Sequence, residues 1–351
     1  MWLERARKRE RKCKLKMRIK VMTAVFLFLF SVTAIGRRFT VHAVEQEEHI
    51  MSTPGDVCAY DDPNPWPGAF HVPTQVYYKN GDFFLADAYN QQVLHAADCA
   101  SAPEGWGPVG VGLFRPHAIA SDGEVYMVVD TDNNRVVTYA KTDIGFQVVE
   151  CFENVGVRPH YVVYDASTRQ FYVWSSMTGT MYLYKRNGNG LQVTLRRTAY
   201  IRDLDGCYTR SFTIDGANLY FPSMGKGSIY VVNKRSFRTK AVYGVAAEIG
   251  GMVQLRHEQN YYYLVTSSDA AYDQTKATIV RSRTLEGFGS GSYEDIRSRF
   301  PELDGVPYYI EHLEDGHYYT PVIEGQTSPY ICRFDIVNDE IVNVMNFKYR
   351  E

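Results

Sequence analysis

The sequence has 351 residues, with few cysteines and none in a pattern typical of a metal site. Its six cysteines form no Cys-x-x-Cys pair, and no Cys/His spacing suggests zinc. The chain also lacks a Gly-x-Ser-x-Gly motif, which argues against the nucleophile elbow of serine hydrolases. No stretch has a convincing amphipathic helical period, so a helical bundle is not expected.

Basic residues are scarce outside the N-terminus. Residues 1–20 hold ten Lys/Arg and two Glu, a charge of +8. From position 44 onward there are 26 basic and 38 acidic residues, so the body carries −12. Binding to nucleic acid relies on clustered Lys and Arg, and the acidic body therefore argues against a nucleic-acid partner.

An uninterrupted apolar run follows the basic segment at Val21–Gly36. Its length is typical of a signal-peptide core and short for a membrane span. We therefore expect a basic segment at 1–20, a signal peptide or signal anchor at 21–43, and a proline-containing lead at 44–70. The start codon is Met1 or Met17. If the segment is cleaved, the protein is secreted, and if the segment is retained, it anchors the protein to the membrane. The body is expected to lie outside the cytoplasm in both cases.

Five cysteines follow the apolar run, and an extracytoplasmic compartment permits disulfides. The odd number leaves at least one of them unpaired. Cys58 and Cys99 are the candidate bridge, which would join the lead to the first repeat. Buried thiols are the alternative for all five.

The segment Phe114–Ala140, "FRPHAIASDGEVYMVVDTDNNRVVTYA", has the pattern strand, turn, strand, turn, strand. Related segments occur along the chain, and each is followed by a candidate fourth strand. Their first strands align at Pro73, Pro116, Pro159, Thr209, Gly250 and Pro307. The spacings of 43, 43, 50, 41 and 57 residues are close to the period of four-stranded propeller blades.

This periodicity predicts an all-β fold, a six-bladed β-propeller of four-stranded antiparallel blades over residues 71–351. Radial stacking buries both faces of each blade, which explains strands such as "VYMVVD" that do not alternate strictly. One or two helical turns are expected within 292–305, between blades 5 and 6. A pair of β-sandwiches is the alternative architecture.

The stretch "RPHAIASDGEVYMVVDTDNNRVVTY" resembles an NHL repeat, which has proline, an apolar pair, Asp/Asn-Gly, a strand and then Asp-x-x-Asn-x-Arg-Val. The match is good in blade 2 (Asp130, Asn133, Arg135) and fair in blade 1 (Asp87, Asn90). In later blades mainly the strand layout is similar. We expect these Asp and Asn side chains to stabilise turns. NHL-like propellers include binding modules and enzymes, so the resemblance implies a fold without choosing a function.

The residue after each repeat start is expected to face one mouth of the central channel. These residues are Thr74, His117, His160, Arg210, Gly251 and Tyr308. The motif Arg-Pro-His in two blades adds Arg115 and Arg158 beside the histidines. The predicted ligand-binding residues are therefore His117, His160, Arg115, Arg158, Arg210 and Tyr308, with Tyr208 close by.

This constellation permits three interpretations. The first is a cationic and aromatic mouth that binds a glycan, an anionic ligand or a protein, because Arg suits carboxylate and phosphate. The second is a divalent metal on His117 and His160. It would resemble the metal-assisted amidating lyases, streptogramin lyases and gluconolactonase-like hydrolases of this fold, although no third ligand recurs. The third is that polar side chains only cap strands and fill a wet channel.

We interpret the sequence as an extracytoplasmic binding module, with a metal-assisted lyase or hydrolase as the alternative. No catalytic residue is identified and no cofactor is expected, apart from the divalent metal of the alternative. The expected partner is a protein or carbohydrate of the cell envelope. Nucleic acid is not expected, and contact with a membrane would involve the N-terminal segment alone.

Overall fold

The computed structural model describes residues 70–323 and 329–348. The predicted basic segment, the signal peptide or anchor, and the lead up to residue 69 lie outside the described residues. Within the described ranges, no helix is both long and apolar enough to cross a membrane.

Six antiparallel sheets follow one another along the chain, and this confirms the predicted six-bladed propeller of four-stranded blades. The strands of blades 1 to 3 are β1 (Pro73–Lys79), β2 (Asp82–Asp87), β3 (Gln92–Ala96), β4 (Gly107–Gly110), β5 (Pro116–Ser121), β6 (Val125–Asp130), β7 (Arg135–Thr142), β8 (Gly145–Phe152), β9 (Pro159–Asp165), β10 (Gln170–Ser175), β11 (Thr178–Arg186) and β12 (Val193–Asp205).

The strands of blades 4 to 6 are β13 (Thr213–Asp215), β14 (Asn218–Ser223), β15 (Ser228–Asn233), β16 (Thr239–Gly244), β17 (Met252–Glu258), β18 (Tyr261–Thr266), β19 (Thr278–Ser282), β20 (Glu294–Asp295), β21 (Val306–Pro307), β22 (Glu311–His312), β23 (Tyr318–Ile323), β24 (Tyr330–Val337) and β25 (Glu340–Phe347). In blade 6 the inner strand is broken, because β21 and β22 both pair with β23. In every blade the chain runs from the inner strand outward.

Helical structure within the described ranges is short. One α-helical turn, α1, spans Gly287–Ser290. The 3-10 turns are Ala88–Asn90, Pro103–Gly105, Met224–Lys226, Gln274–Lys276 and Arg297–Arg299. The last of these is the helical turn expected within 292–305. The outer strand of blade 5, β20, has only two residues.

Neighbouring blades pack through alternate residues of the same strand. In β6, Tyr126 and Val128 belong to the cluster shared with blade 1, whereas Met127 and Val129 belong to the cluster shared with blade 3. Successive side chains of a strand point to opposite faces, so a strand covered on both sides needs apolar residues at every position. This explains the continuous apolar runs of the sequence.

The inner strands are joined by side chains that satisfy the backbone of the next blade. Thr74 donates to the carbonyl of His117 at 2.9 Å, and Gln75 Oε1 accepts from the amide of Ile119 at 2.7 Å. On blade 5, Gln254 Oε1 accepts from the amide of Ile310 at 2.7 Å. These bonds supply partners for backbone groups that face the channel, where no strand pairs with them.

Blade 4 departs from the predicted register. Its inner strand begins at Thr213, four residues after the predicted start at Thr209. The backbone of Thr209 is bonded to blade 3 instead, since its amide donates to the carbonyl of Ser176 and its carbonyl accepts from Trp174 Nε1 at 2.8 Å. The intervening residues therefore line the channel without pairing with β14.

The predicted bridge between Cys58 and Cys99 is not tested, because Cys58 lies outside the described residues. Cys99 is buried, and burial raises the pKa of its thiol to about 12. Cys207 and Cys332 are also buried thiols. Cys151, on the outer strand of blade 2, is disulfide-bonded.

Candidate functional site

The predicted site residues gather at one end of the channel, which we call the upper face. Inner strands begin at this face, and the loops between the second and third strand of each blade lie beside them. His117 and His160 follow the prolines that open β5 and β9. In the second-to-third-strand loop of blade 2, Asp130 accepts from the amide of Phe114, Asn133 and Arg135, which confirms the expected turn role of this motif.

The two histidines lie in contact inside the channel. Their ring centroids are 4.0 Å apart, and the residues are 8% and 0% exposed. His160 Nδ1 is 2.9 Å from the hydroxyl of Tyr309, and Nε2 is 3.1 Å from the hydroxyl of Tyr208. Tyr309 belongs to blade 6, directly across the channel from blade 3. His160 therefore points into the channel, where the side chains are closely packed.

Both imidazoles are neutral at physiological pH. Burial lowers the pKa of His117 to about 3, and the charge of Arg158 acts in the same direction against the hydrogen bond to the Arg115 carbonyl. Burial, followed by the proximity of His117, lowers the pKa of His160 well below its usual value. Desolvation disfavours the charged form of a base, which explains the direction of both shifts.

Arg115 and Arg158 share one carboxylate. Asp132 Oδ2 is 3.1 Å from Arg115 Nη1, and Oδ1 is 3.0 Å from Arg158 Nε. Arg158 Nε and Asp132 Oδ1 form an ion pair, but they are not aligned for a hydrogen bond. Two guanidinium groups thus compete for a single negative charge.

Arg210 has no carboxylate within 4 Å among the residues that the structure describes. Its Nη1 donates to Ser267 Oγ at 2.7 Å and to the carbonyl of Gly251 at 3.2 Å, and both acceptors are neutral. The guanidinium carbon lies 5.4 Å from the ring centroid of Tyr208 and 6.0 Å from that of Tyr308. Cation–π contact is therefore its main electrostatic compensation.

Arginines and tyrosines alternate around the upper face. Arg115 lies 5.1 Å from the ring of Tyr89, and Arg158 lies 5.8 Å from the ring of Tyr208. With the contacts of Arg210, they form a collar around the channel, here called the mouth ring. It consists of Tyr89, Arg115, Asp132, Arg158, Tyr208, Arg210 and Tyr308. Three guanidinium groups and one carboxylate give the mouth ring a charge of +2.

The mouth ring holds buried donors that make no hydrogen bond. Nε of Arg158 and Nε of Arg210 are buried and donate no hydrogen bond within the described part of the chain. Buried polar groups are nearly always hydrogen-bonded, so two such donors on neighbouring cations need an explanation. An anion bound at the upper face would supply an acceptor for Arg210 Nε and a better-aligned one for Arg158 Nε.

The backbone places Arg115 and Arg158 in an unusual conformation. Their φ angles are +54° and +55°, in the left-handed region, and each residue precedes a proline. Left-handed backbone costs a non-glycine residue about 1 kcal/mol or more, and a following proline restricts it further. The same strained placement in two adjacent blades projects both guanidinium groups over the mouth.

A second polar cluster, not predicted from the sequence, fills the channel below the histidines. Glu311 Oε1 accepts from Tyr161 at 2.5 Å and from Gln75 at 3.0 Å, while Oε2 is 3.3 Å from Arg256. Gln254 donates to the Tyr161 hydroxyl at 3.1 Å. Burial raises the pKa of Glu311, and the charge of Arg256 opposes the shift. The polar side chains of this cluster are therefore bonded to one another.

The histidine pair does not fit the alternative of a metal centre. Both ring nitrogens of His160 face tyrosine hydroxyls, and Nδ1 of His117 faces the Arg115 carbonyl at 2.7 Å. Within the described residues, no group of three His, Cys, Asp or Glu side chains could hold a metal ion. A catalytic metal usually needs three protein ligands, and these side chains supply one available nitrogen.

The structure brings together all six predicted residues and adds three that the sequence reasoning missed, Tyr89, Asp132 and Tyr309. Tyr89 and Asp132 lie in the second-to-third-strand loops of blades 1 and 2. Such loops share a face with the starts of inner strands, so a charged or aromatic residue there was a usable signal. No such signal marks Tyr309, because the position of its side chain depends on the break in the inner strand of blade 6.

Solved structures with the same fold have little sequence in common with this chain. A hydrazine synthase chain of Kuenenia stuttgartiensis matches with a TM-score of 0.53 and 17% identity over 80% of both chains. Two 6-phosphogluconolactonase-like proteins, from Bacteroides uniformis and Bacteroides fragilis, match with TM-scores of 0.53. They are 8% and 10% identical over 77% and 80% of this chain and 82% of their own.

These similarities show a β-propeller and do not carry a function to this chain, because unrelated activities occur on one fold. No protein-family model matches the sequence, and no curated protein matches it either.

Proposed function

We propose that the protein is a binding module that takes an anionic ligand at the mouth ring. The observation that carries the proposal is the buried Nε donor of Arg210, which has no acceptor among the described residues, beside Arg158, whose Nε is buried and contacts the shared Asp132 without a hydrogen bond. A carboxylate or phosphate accepts two parallel hydrogen bonds from a guanidinium, which makes arginine the usual residue for such ligands. An anion seated here supplies the acceptor that Arg210 Nε lacks among the described residues and a better-aligned acceptor for Arg158 Nε.

The charge of the site also supports an anion. Asp132 offsets one of the three guanidinium groups, and the neutral histidines beneath add no charge. The tyrosines offer flat apolar faces with polar tips, which suit contacts with a sugar ring as well as with a protein side chain. A ligand that combines a carboxylate or phosphate with such a surface fits the mouth ring best.

The N-terminal sequence indicates where the protein would meet such a ligand. The apolar segment at 21–43 predicts export or anchoring, so an anionic glycan or protein of the cell envelope is the proposed source of the ligand. The proposed relation to NHL repeats depends on the patterns in blades 1 and 2.

Equilibrium binding of simple anions tests the proposal. The purified protein is titrated by calorimetry with sodium tricarballylate, a tricarboxylate without hydroxyl groups, and with sodium sulfate, each at low and high NaCl. We expect saturable binding that weakens as salt screens the arginines. Arg210→Gln should weaken tricarballylate binding about 10- to 100-fold, because a charged hydrogen bond is lost.

Arg202→Gln is the matched control, since Arg202 is exposed on the outer strand of blade 3 and its loss changes the net charge equally. We expect this variant to bind like the wild type. Equal weakening by both variants would show a nonspecific charge effect and overturn the proposal. Absence of anion binding by the folded wild type would overturn it as well.

A further inference from the structure

The two ring nitrogens of His117, beneath the mouth ring, differ in their hydrogen bonds. His117 Nδ1 is 2.7 Å from the carbonyl oxygen of Arg115 and 3.1 Å from Thr131 Oγ1. The carbonyl can only accept, and the Thr131 hydroxyl already donates to the carbonyl of Pro159 at 2.8 Å. Both neighbours of Nδ1 are therefore acceptors, so Nδ1 carries the proton and Nε2 carries a lone pair.

Nε2 of His117 makes no hydrogen bond to any residue that the structure describes. The residue is slightly exposed at 8%, whereas His160 is fully buried with both ring nitrogens engaged. Of the two channel histidines, His117 alone thus has an open acceptor. Burial and the nearby arginines keep this acceptor unprotonated at physiological pH.

We propose that Nε2 of His117 accepts a hydrogen bond from a hydroxyl of the ligand, so that the mouth ring selects hydroxylated carboxylates over carboxylates without a hydroxyl. This inference rests on the proposed anion-binding function and narrows its ligand class. Arg158 and Arg210 hold the carboxylate, the neutral imidazole accepts from the hydroxyl, and the tyrosines contact the carbon skeleton. Uronic acids and hydroxy-tricarboxylates have this combination of groups.

An acceptor at this position should distinguish ligands with a hydroxyl from ligands without one. The Nε atoms of Arg158 and Arg210, which make no hydrogen bond, are donors. A ligand hydroxyl needs an acceptor, and Nε2 of His117 is an acceptor without a partner among the described residues, within the influence of both arginine charges. A ligand without the hydroxyl leaves this nitrogen desolvated and unpaired, which disfavours binding.

Two ligand pairs test the inference by calorimetry. Citrate and tricarballylate are the matched pair, since they differ by one hydroxyl; glucuronate and cyclohexanecarboxylate are a looser pair, which differs by all the sugar hydroxyls and the ring oxygen. We expect the hydroxylated member of each pair to bind about five- to tenfold more tightly to the wild type. His117→Phe should abolish this preference, and it should bind tricarballylate at least as tightly as the wild type does, because no unpaired nitrogen is then desolvated.

A second variant protects the test against misfolding. His117→Asn keeps a donor toward the Arg115 carbonyl and removes the acceptor at the position of Nε2, so it should behave like His117→Phe. His257→Phe removes an exposed histidine at the opposite end of the channel and should retain the preference. Far-ultraviolet circular dichroism confirms the fold of each variant.

The outcomes separate this inference from the proposed function. Equal affinity for both members of each pair, unaffected by His117→Phe, would overturn the inference and leave the anion site standing. Failure of the folded wild type to bind any of the four anions would overturn both.

Discussion

The imidazole rings of His117 and His160 lie in contact with their centroids 4.0 Å apart and their planes tilted by 36°, although the two residues come from adjacent blades. They are held in the channel by the Arg115 carbonyl on one side and by two tyrosine hydroxyls on the other. Two imidazoles in such contact could not both be protonated without strong repulsion and desolvation. The pair is therefore a neutral floor beneath a cationic ring.

The first prediction concerns stability in acid. The pKa of His117 is lowered to about 3 and that of His160 well below its usual value, so the unfolded chain binds more protons than the folded protein below about pH 6.5. The free energy of unfolding should therefore decrease as the pH is lowered through this window, by about 1.4 kcal/mol per pH unit for each histidine.

His117→Phe should reduce this slope by the contribution of one histidine, measured by urea unfolding between pH 6.5 and 5. Subtraction of the two curves removes the contribution of the carboxyl groups, which both proteins share. A slope that does not change in the variant would show that His117 is protonated in the folded protein.

The second prediction concerns the acid of the mouth ring. Asp132→Asn removes the carboxylate shared by Arg115 and Arg158 and raises the charge of the ring from +2 to +3. Tricarballylate should bind about five- to tenfold more tightly, since the ligand no longer competes with a fixed carboxylate. Asp143→Asn, which changes an exposed acid of the turn between β7 and β8, should bind like the wild type. Weaker binding by Asp132→Asn would indicate that Asp132 positions the arginines for the ligand.

The third prediction concerns the junction between blades 3 and 4. Trp174→Phe removes the donor to the Thr209 carbonyl and leaves space in a fully buried position. We expect a loss of about 2–4 kcal/mol in the free energy of unfolding. Trp106→Phe is the control, because its bond goes to the carbonyl of the partly exposed Ser101, which water can satisfy. Equal losses of unfolding free energy in the two variants would show that the bond from Trp174 to Thr209 adds no extra stability at this junction.

The fourth prediction concerns the channel cluster. Gln75→Leu and Gln254→Leu each leave a backbone amide without its acceptor, and each should cost about 1–3 kcal/mol. Both glutamines bond to the same network through Tyr161 and Glu311, so the double variant should lose less than the sum of the single losses. Additivity within about 0.3 kcal/mol would show that the two halves of the channel are independent.

The sequence predicted the propeller well, because the residue pattern of each blade follows from requirements that act within a strand or a turn. A strand buried on both faces must be apolar throughout, and a turn that bonds its own backbone needs Asp or Asn, as at Asp130. Both requirements leave a repeat that is visible in one sequence. The start of blade 4 was misplaced by four residues, because the hydrogen bond from Trp174 to Thr209 is a contact between blades that no local pattern encodes.

The site was predicted in part for the same reason. The position after each inner-strand proline identified His117 and His160, and the Arg-Pro-His motif added two arginines. The partners of these residues come from other blades, as Tyr309 does for His160. The protonation state of a histidine depends on such partners, so neither the neutral pair nor the open Nε2 could be obtained from spacing alone.

Nuclear magnetic resonance of the arginine side chains tests the central claim most directly. In protein labelled with ¹⁵N-arginine, Arg158→Gln and Arg210→Gln assign the two buried Nε–H signals. On titration with sodium glucuronate, we expect both signals to shift together and to saturate, as the missing acceptor arrives. If the two signals stay unchanged at saturating glucuronate and tricarballylate while signals of exposed arginines such as Arg202 shift, the mouth ring is not an anion site.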